Sequence, residues 1–395
     1  MLVKNGTLFT MVEEEGLIDY DLRIREKKIV EIGQNLQAEN GEKVLDLHGA
    51  WVLPGFIESH CHIGVDEYGL GKAGDDCNES SSPVTPEVNA IDGINPADEA
   101  FQLALEAGVT TVFTGPGSAS VLGGRFACLR TWGKSVDKML IPEAQAMKCA
   151  FGENPKRVYG SQKKAPITRL GTGAIMRQSL NEARYYKESK ELAAQKGEPF
   201  KENLAMENLL PVLERKIPLK AHAHRADDIL SAIRIAREYN VLLTLDHCTE
   251  GHYIVDEIAE STWPALLGPS MSTTGKAETA KKSYETAIAL TKAGVLCSVI
   301  TDHPVTRIEL LPVCAGMVHR LGLSLVDSLR LITLNPAKIL GLDEQMGSLE
   351  VGKLANITIY DGNPLSNLSH CLCTIGEGEI LHQVVASAKT PVYKL

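Results

Sequence analysis

The apolar and polar positions divide the chain into two kinds of segment. Residues 1–53 alternate short β-rich runs with Asn-Gly turns, which is the pattern of a small sheet. The run 347–361 has the same texture, and residues 376–381 and 383–386 predict further strands. A small sheet of this kind buries too little surface to be stable alone. We therefore predict that residues 1–53 and 341–395 form one small β-sandwich domain, interrupted in sequence by the rest of the chain.

Residues 54–340 alternate apolar strands with amphipathic helices. The segment 227–239 carries apolar residues at three- and four-residue spacing, and the apolar run 241–247 follows it, as expected for a helix followed by a buried parallel strand. The length of the region is close to the ~250 residues of a TIM barrel. We therefore predict an α/β fold in which residues 54–340 form a (β/α)8 TIM barrel. The loop 64–95, rich in Gly, Ser, Asp and Pro, is expected to lie over the catalytic face.

Composition restricts the class of protein. Apolar residues make up 44% of the chain, charged residues 23%, and the formal net charge is −10. An acidic chain of this kind does not favour nucleic-acid binding, and no apolar run approaches the ~20 residues of a membrane span. The nine cysteines form no Cys-x-x-Cys pair, and the first residues lack the pattern of a secretory signal. We therefore expect free thiols and a cytoplasmic location.

The candidate chemistry begins in the stretch from Leu53 to His62, where an apolar strand follows a Pro-Gly turn and ends in two histidines. Successive side chains of a strand alternate between its faces, so His60 and His62 point the same way. Imidazole is a common ligand of zinc, iron, nickel and copper. The pair therefore indicates a chelating site for a divalent metal, although a His-x-His pair by itself is more often without function.

Other strands of the predicted barrel also end in candidate ligands. His222 and His224 end one strand, His247 ends the next, and Asp302 ends the last. In a TIM barrel the carboxyl ends of the strands meet at one face, which carries the catalytic residues. A single histidine at a strand end is usually structural. Several strands that deliver His or Asp to the same face favour a metal site.

The sequence Pro-Gly-Phe-Ile-Glu-Ser-His-Cys-His resembles the signature of the amidohydrolase superfamily, which comprises metal-dependent hydrolases with a TIM-barrel catalytic domain. The family usually carries Asp where this chain has Glu58. The resemblance covers nearly the whole chain, and the run from Gly347 to Asn356 is similar to the family's returning end. It implies metal ligands in the succession His-x-His, His, His and Asp on the first, fifth, sixth and eighth strands.

Carried onto this chain, the resemblance implies that His60, His62, His247 and Asp302 are ligands. On the fifth strand it favours His222, which leaves His224 for the substrate, but the spacing alone allows either. It also implies that Asp302 accepts the proton of the water that attacks the substrate, a role that a carboxylate beside a metal can perform.

The number of metal ions depends on an anionic bridge, which many family members take from the third or fourth strand. Glu153 follows a predicted strand end and is the first candidate. Lys148 and Lys156 are weaker candidates, because each would have to be carboxylated. The predicted cofactor is therefore one or two divalent ions, with zinc preferred over iron, manganese or nickel.

The function that follows is a metal-dependent hydrolase of the amidohydrolase type, which cleaves the C–N bond of an amide or cyclic amide with an activated water. The alternatives are a deaminase of the same fold, and a metal-binding barrel without hydrolytic activity, such as an isomerase or a degenerate binding protein. A serine hydrolase is disfavoured because the chain has no Gly-x-Ser-x-Gly elbow.

The predicted partner is a small-molecule substrate, with neither nucleic acid nor membrane, and a homo-oligomer is left open. Specificity in this fold comes from loops that vary without changing the scaffold. Several arginines in or near such loops are candidates to bind a substrate carboxylate through their forked guanidinium groups. They are Arg125, Arg130, Arg157, Arg169 and Arg225.

Overall fold

The structure, a computed structural model, describes residues 1–384. Its strands are β1 Leu2–Leu8, β2 Leu17–Arg25, β3 Lys28–Gly33, β4 Val44–Asp46, β5 Trp51–Pro54, β6 Phe56–Cys61, β7 Val109–Thr114, β8 Leu122–Arg130, β9 Leu140–Ala150, β10 Leu219–Ala223, β11 Leu243–His247, β12 Ala265–Leu267, β13 Cys297–Val299, β14 Ile357–Tyr360, β15 Cys371–Gly376 and β16 Glu379–Gln383. Its α-helices are α1 Glu99–Glu106, α2 Val136–Met139, α3 Glu153–Ser161, α4 Arg169–Lys196, α5 Leu204–Leu213, α6 Ala226–Tyr239, α7 Val255–Ser261, α8 Glu285–Lys292, α9 Leu311–Arg320, α10 Leu325–Arg330 and α11 Leu334–Ile339.

The two ends of the chain contribute to a single sheet. Its strand order is β16-β15-β14-β5-β1-β2-β3, and β4 pairs with β1 off this path. The ends are joined where β14 runs antiparallel to β5, with Ile357 opposite Pro54 and Tyr360 opposite Trp51. The two ends of the chain therefore pair within one sheet, while their separation as a domain and the two-layered sandwich stay predictions. The strand predicted at 383–386 lies largely outside the described residues, since only Gln383 belongs to β16.

A second eight-stranded sheet, in the order β6-β7-β8-β9-β10-β11-β12-β13, forms a nearly closed barrel. Its strands are buried along their whole length except for two positions in β8 and four in the first six residues of β9, as expected where helices or loops cover the outer face. Its first and last strands approach each other where the Ser59 and Ser298 hydroxyls share a hydrogen bond of 2.7 Å. The α/β barrel agrees with the predicted fold class.

One strand departs from the predicted (β/α)8 pattern. β8 runs antiparallel to both β7 and β9, and the other strand pairs of the barrel are parallel. A parallel crossover needs a dozen or more residues and usually a helix. The connection from β7 to β8 spans only residues 115–121, so β8 must turn back on its neighbour. The expectation of a uniform βα repeat is corrected at this strand.

The loop 64–95 lies against the beginning of the reversed strand. Isolated bridges join Val84 to Leu122 and Asn89 to Arg125. Asp98, the N-cap of α1, fixes the start of the loop, because its carboxylate accepts hydrogen bonds from the backbone N–H groups of Gly64 and Tyr68. The same carboxylate accepts from Ala100 N within the helix, which satisfies one of the orphan donors of the first turn.

Two further observations concern the described residues as a whole. All nine cysteines are buried and free. In residues 1–384 we find no helix that combines the length and the apolar character needed to cross a membrane.

Candidate metal centre

Two groups of potential metal ligands lie at the carboxyl ends of the barrel strands. One comprises His60, His62 and Asp302, the other His222, His224 and His247. Within each group the ligand atoms lie within 4.8 Å of one another. The structure therefore brings together all of the histidines and the aspartate that the sequence predicts as metal ligands.

His247 connects the two groups. Its ring centroid lies 5.0 Å from that of His60 and 4.4 Å from that of His222. His224 stacks on it at 4.8 Å and is only 4% exposed, so His224 is a buried member of the cluster and not a surface residue beside Arg225. His222 on β10 and His224 directly after it thus both remain available as ligands.

Hydrogen bonds on the outer side fix the orientation of several rings. The Nδ1 atom of His62 lies 2.7 Å from the carbonyl oxygen of Gly115, and that of His247 lies 2.7 Å from the carbonyl oxygen of Gly268. A carbonyl can only accept, so each Nδ1 donates, and each neutral ring then presents the lone pair of Nε2 to the site. Donation of this kind is typical of histidines that bind metal.

The short contacts among His60, His62 and Asp302 favour a positive charge between them. The Oδ1 atom of Asp302 lies 3.3 Å from His60 Nε2 and 3.2 Å from His62 Nε2. Nδ1 of His60 lies 2.9 Å from the carboxylate oxygen Oδ2 of Asp246 and donates to it. With Nδ1 protonated on both neutral rings, three lone-pair atoms face one another, and a proton or a cation between them relieves the repulsion. Within residues 1–384, Asp302 Oδ1 and His247 Nε2 are buried without a hydrogen-bond partner. These donors therefore fit a divalent metal.

The electrostatic surroundings keep most of the ligands in the states that metals bind. His62 is the exception, because burial opposes its protonation but the contacts with Cys77 and Asp302 outweigh it and raise the pKa well above its usual value. Burial, followed by the positive charges of Lys148 and Lys220, lowers the pKa of His60 to about 4. Burial also lowers the pKa of His247 well below its usual value. For Asp302, burial opposes ionisation, but the contacts with His60 and His62 outweigh it and hold the pKa well below the ordinary range. Neutral imidazoles beside an ionised carboxylate form a suitable donor set for zinc and related metals.

A charged network lies beneath the site in the barrel interior. Asp246 Oδ2 lies 2.9 Å from His60 Nδ1, and Lys220 donates to Asp246 Oδ1 at 3.3 Å and to the Ser59 carbonyl at 3.1 Å. These side chains are almost completely buried, where a charge is stable only when it is paired. Asp246 therefore holds the ring of His60, a role that the sequence analysis did not assign.

Glu58 joins the first and last ligand-bearing strands. Its Oε2 atom accepts from the backbone N–H of Thr301 at 2.8 Å and from the Thr301 hydroxyl at 2.6 Å. Its Oε1 atom accepts from His60 N at 3.0 Å. Burial raises the pKa of Glu58 to about 7, although these hydrogen bonds oppose the shift. The carboxyl that stands where the family usually has Asp therefore positions the backbone beside both His60 and Asp302.

Two ligand candidates occupy strained backbone positions. The φ angle is 74° at His247 and 52° at Asp302, in the left-handed region that residues other than glycine seldom adopt. Such conformations persist only where the surrounding structure enforces them, and they are concentrated at functional sites. The φ angle of Gly268 is +136°, and a Cβ there would lie 2.4 Å from the Ile300 carbonyl oxygen. Glycine is thus required where the backbone accepts from His247.

Lys148 and Glu153, the candidates for a ligand shared by two metal ions, lie in different surroundings. Lys148 is fully buried on β9, and its Nζ atom lies 3.3 Å from His60 Nε2. Glu153 begins α3, and its carboxylate belongs to neither ligand group. The backbone N–H of Glu153 instead donates to Glu278 Oε2 at 2.7 Å. Glu278 is a buried carboxylate that the sequence analysis missed, and its Oε1 atom lies 3.9 Å from His222 Nε2.

The chain belongs to the amidohydrolase family, whose model matches residues 51–389. Members of this family usually bind a divalent metal, in agreement with the two ligand groups. The crystal structure of an amidohydrolase from Thermotoga maritima MSB8 is similar, with a TM-score of 0.93 and 39% identity, over 97% of this chain and 100% of that chain. The family resemblance expected from the sequence is confirmed.

Two curated proteins are similar at lower identity. Amidohydrolase tasK from Hapsidospora irregularis is 28% identical over 346 residues, which are 82% of this chain and 35% of that protein. The chain thus matches only about a third of the length of tasK. Imidazolonepropionase from Acinetobacter baumannii (strain AB307-0294) is 25% identical over 356 residues, or 83% of each chain. The family suggests an enzyme.

Proposed function

We propose that the protein is a metal-dependent hydrolase that cleaves the C–N bond of a small amide or cyclic amide. The observation that carries the proposal is the approach of Asp302 to His60 and His62, in which acceptor atoms face one another at 3.2 to 3.3 Å. That arrangement suits a cation bound between the three side chains. We assign His60, His62, His222, His247 and Asp302 as its ligands and keep zinc as the first candidate.

A divalent ion held by these residues would supply Lewis acidity, which makes water a usable nucleophile near neutral pH. Asp302 accepts the proton of the attacking water and passes it to the leaving nitrogen, because its carboxylate is ionised and lines the same cavity as His62 and His222. His224 lines this cavity as well. Its Nδ1 atom lies 2.7 Å from the Thr249 hydroxyl, which fixes the ring so that Nε2 can contact the substrate carbonyl.

The test is the metal content of the purified full-length chain, followed by a panel of linear and cyclic amides. We expect bound zinc or a related ion, and hydrolysis that releases one carboxylate and one amine for each bond cleaved. Release of ammonia from an amidine or a ring amino group, without cleavage of any amide, would favour the deaminase. Bound metal with no hydrolysis of any kind would favour a non-hydrolytic barrel.

We infer that Lys148, and not Glu153, provides the anionic ligand that bridges two metal ions. A charged ammonium 3.3 Å from His60 Nε2 would repel a metal ion. Carboxylation removes this repulsion: the neutral amine adds to CO2, loses a proton and becomes a carbamate anion. Bicarbonate should therefore raise the metal content of the wild-type protein at limiting metal.

The corresponding variants are Lys148→Met and Glu153→Gln, compared by metal stoichiometry with and without bicarbonate. Lys148→Met should bind less metal and lose the response to bicarbonate, while Glu153→Gln should match the wild type. A fall in metal content confined to Glu153→Gln would restore Glu153 as the bridge. A rise in metal affinity in Lys148→Met would mean that the lysine is a simple ammonium.

A further inference from the structure

The segment 268–284, which follows β12, covers one side of the metal centre. It is held in place by Glu278, which is buried and accepts the backbone N–H of Glu153 at 2.7 Å. Gly152, with a φ angle of +84°, makes room for this contact, since a Cβ there would lie 2.6 Å from Glu278 Oε2. Within the segment, the Thr279 hydroxyl donates to the carbonyl of Lys276 at 2.9 Å. The hydrogen bond between Glu278 and the backbone of Glu153 therefore anchors the segment to the barrel.

Two lysines of this segment, Lys276 and Lys282, line a cavity of about 460 Å³. The metal-ligand candidates that line the same cavity are His62, His222, His224 and Asp302. Both lysine side chains are half-buried. The ammonium of Lys282 donates to the neutral hydroxyl of Ser272 at 2.6 Å. Among residues 1–384, no carboxylate lies within 4.0 Å of either ammonium.

The local charges leave these ammonium groups without an adequate counter-ion. Burial lowers the pKa of both lysines. For Lys276 the attraction of Glu278 opposes this shift and the repulsion of Arg157 adds to it, and Asp302 and Glu153 attract it more weakly. Lys282 is attracted by Asp302 and repelled by Lys276. A partly desolvated cation without a partner is unfavourable, and an anion that enters the cavity would restore the balance.

Most of the arginines considered from the sequence are not available for this role. Four of them already have partners among the described residues. They are Arg125 with Gln145, Arg130 with Glu377, Arg169 with Asp228, and Arg225 with Asp227. Arg157 is the fifth, and it contributes positive charge beside Lys276.

We propose that Lys276 and Lys282 bind an anionic group of the substrate, so that the enzyme acts on amides that also carry a carboxylate or a phosphate-like group. This inference rests on the proposed hydrolase function and specifies its substrate class. The lysines line the same cavity as His62, His222, His224 and Asp302, so a single substrate in this cavity can place its scissile amide at the metal site and its anionic group at the lysines. Hydrogen bonds to charged groups of this kind typically correspond to a ~10- to 100-fold gain in affinity.

The test uses the metal-loaded full-length chain and three matched probes: succinamate with a carboxylate, 3-phosphonopropanamide with a phosphonate, and succinamide with neither. Calorimetry gives the Kd of each probe independently of turnover. We expect the wild type to bind at least one anionic probe ~10-fold or more tightly than succinamide. Lys276→Met and Lys282→Met should each lose most of this preference, with metal content and Tm unchanged.

Lys281→Met is the matched control, since Lys281 lies in the same segment but is exposed, and it should keep the preference. Which anionic probe binds better assigns the group as carboxylate or phosphate-like. The inference is overturned if the wild type shows no preference, including failure to bind any probe. It is equally overturned if both lysine variants retain the preference, or if they weaken binding of all three probes alike.

Hydrolysis on the amide panel is scored separately. Turnover of neutral amides with no preference for anionic probes would remove this inference and leave the proposed function standing. A lysine-dependent preference in a protein that hydrolyses no amide would instead remove the proposed function.

Discussion

Replacement of His60 and His62 together by alanine is expected to remove most of the bound metal and all detectable amide hydrolysis. The reason is that both rings contact Asp302 Oδ1, at 3.3 and 3.2 Å, so the change leaves a single member of this ligand group. The measurement is metal stoichiometry by mass spectrometry, with turnover of any substrate found in the panel. The barrel core should persist, as judged by far-UV circular dichroism.

The matched control is His48→Ala with His370→Ala, which removes two histidines whose side chains are 85% and 77% exposed. This variant should keep metal and activity. If removal of the His60 ring leaves Asp246 without its partner and prevents folding, His62→Ala alone tests the same point, because the Nδ1 atom of His62 pairs with a backbone carbonyl and not with a buried charge. Undiminished hydrolysis by a folded, metal-free His62 variant would contradict the mechanism.

Asp302→Asn is expected to lower kcat by ~10²- to 10⁴-fold, the usual contribution of a general base, and by more if metal is also lost. The amide keeps the size of the carboxylate and one oxygen that can contact the metal. It cannot accept a proton near neutral pH, so the attacking water is no longer assisted. Part of the rate should return at high pH, where hydroxide from solution replaces the missing base.

The comparison for this variant is kcat as a function of pH, measured together with metal content, beside Asp256→Asn. Asp256 is an exposed residue of α7, and its variant should behave as the wild type. If Asp302→Asn turned over at nearly the wild-type rate with its metal retained, the proton would have another acceptor. Equal losses of metal and rate would assign Asp302 to ligation alone.

The ligand candidates could be predicted from the sequence because two regularities of strands locate them. Alternation puts His60 and His62 on one face, and the carboxyl ends of parallel strands bring His247 and Asp302 to the same edge. The choice between Glu153 and Lys148 could not be made in this way. Glu153 follows the strand end but lies outside both ligand groups, whereas Lys148 precedes the strand end and points inward to His60.

The buried pair of Lys220 and Asp246 could have been predicted from the sequence. Lys220 and Asp246 are opposite charges inside two apolar strands that are neighbours along the chain, and charges that are buried must be paired. No sequence pattern locates Lys276 and Lys282 at the site, because their position depends on the path of an irregular segment. Strand β8 was missed together with its direction, since both depend on strand boundaries that the sequence does not define.

The reversed strand has a consequence for the re-engineering of this barrel. Of the eight barrel strands, all but β8 end at the face that carries the metal ligands, so only the connections after those seven can contact a substrate. The connection after β8, residues 131–139, emerges at the opposite end. A loop transplanted there from a regular barrel would lie on the far side of the molecule, about the height of a barrel strand away from the site that it was meant to change. Loop exchange in this protein should therefore use a connection that follows one of the other seven strands, such as residues 115–121 after β7, and should keep Gly115, whose carbonyl orients His62.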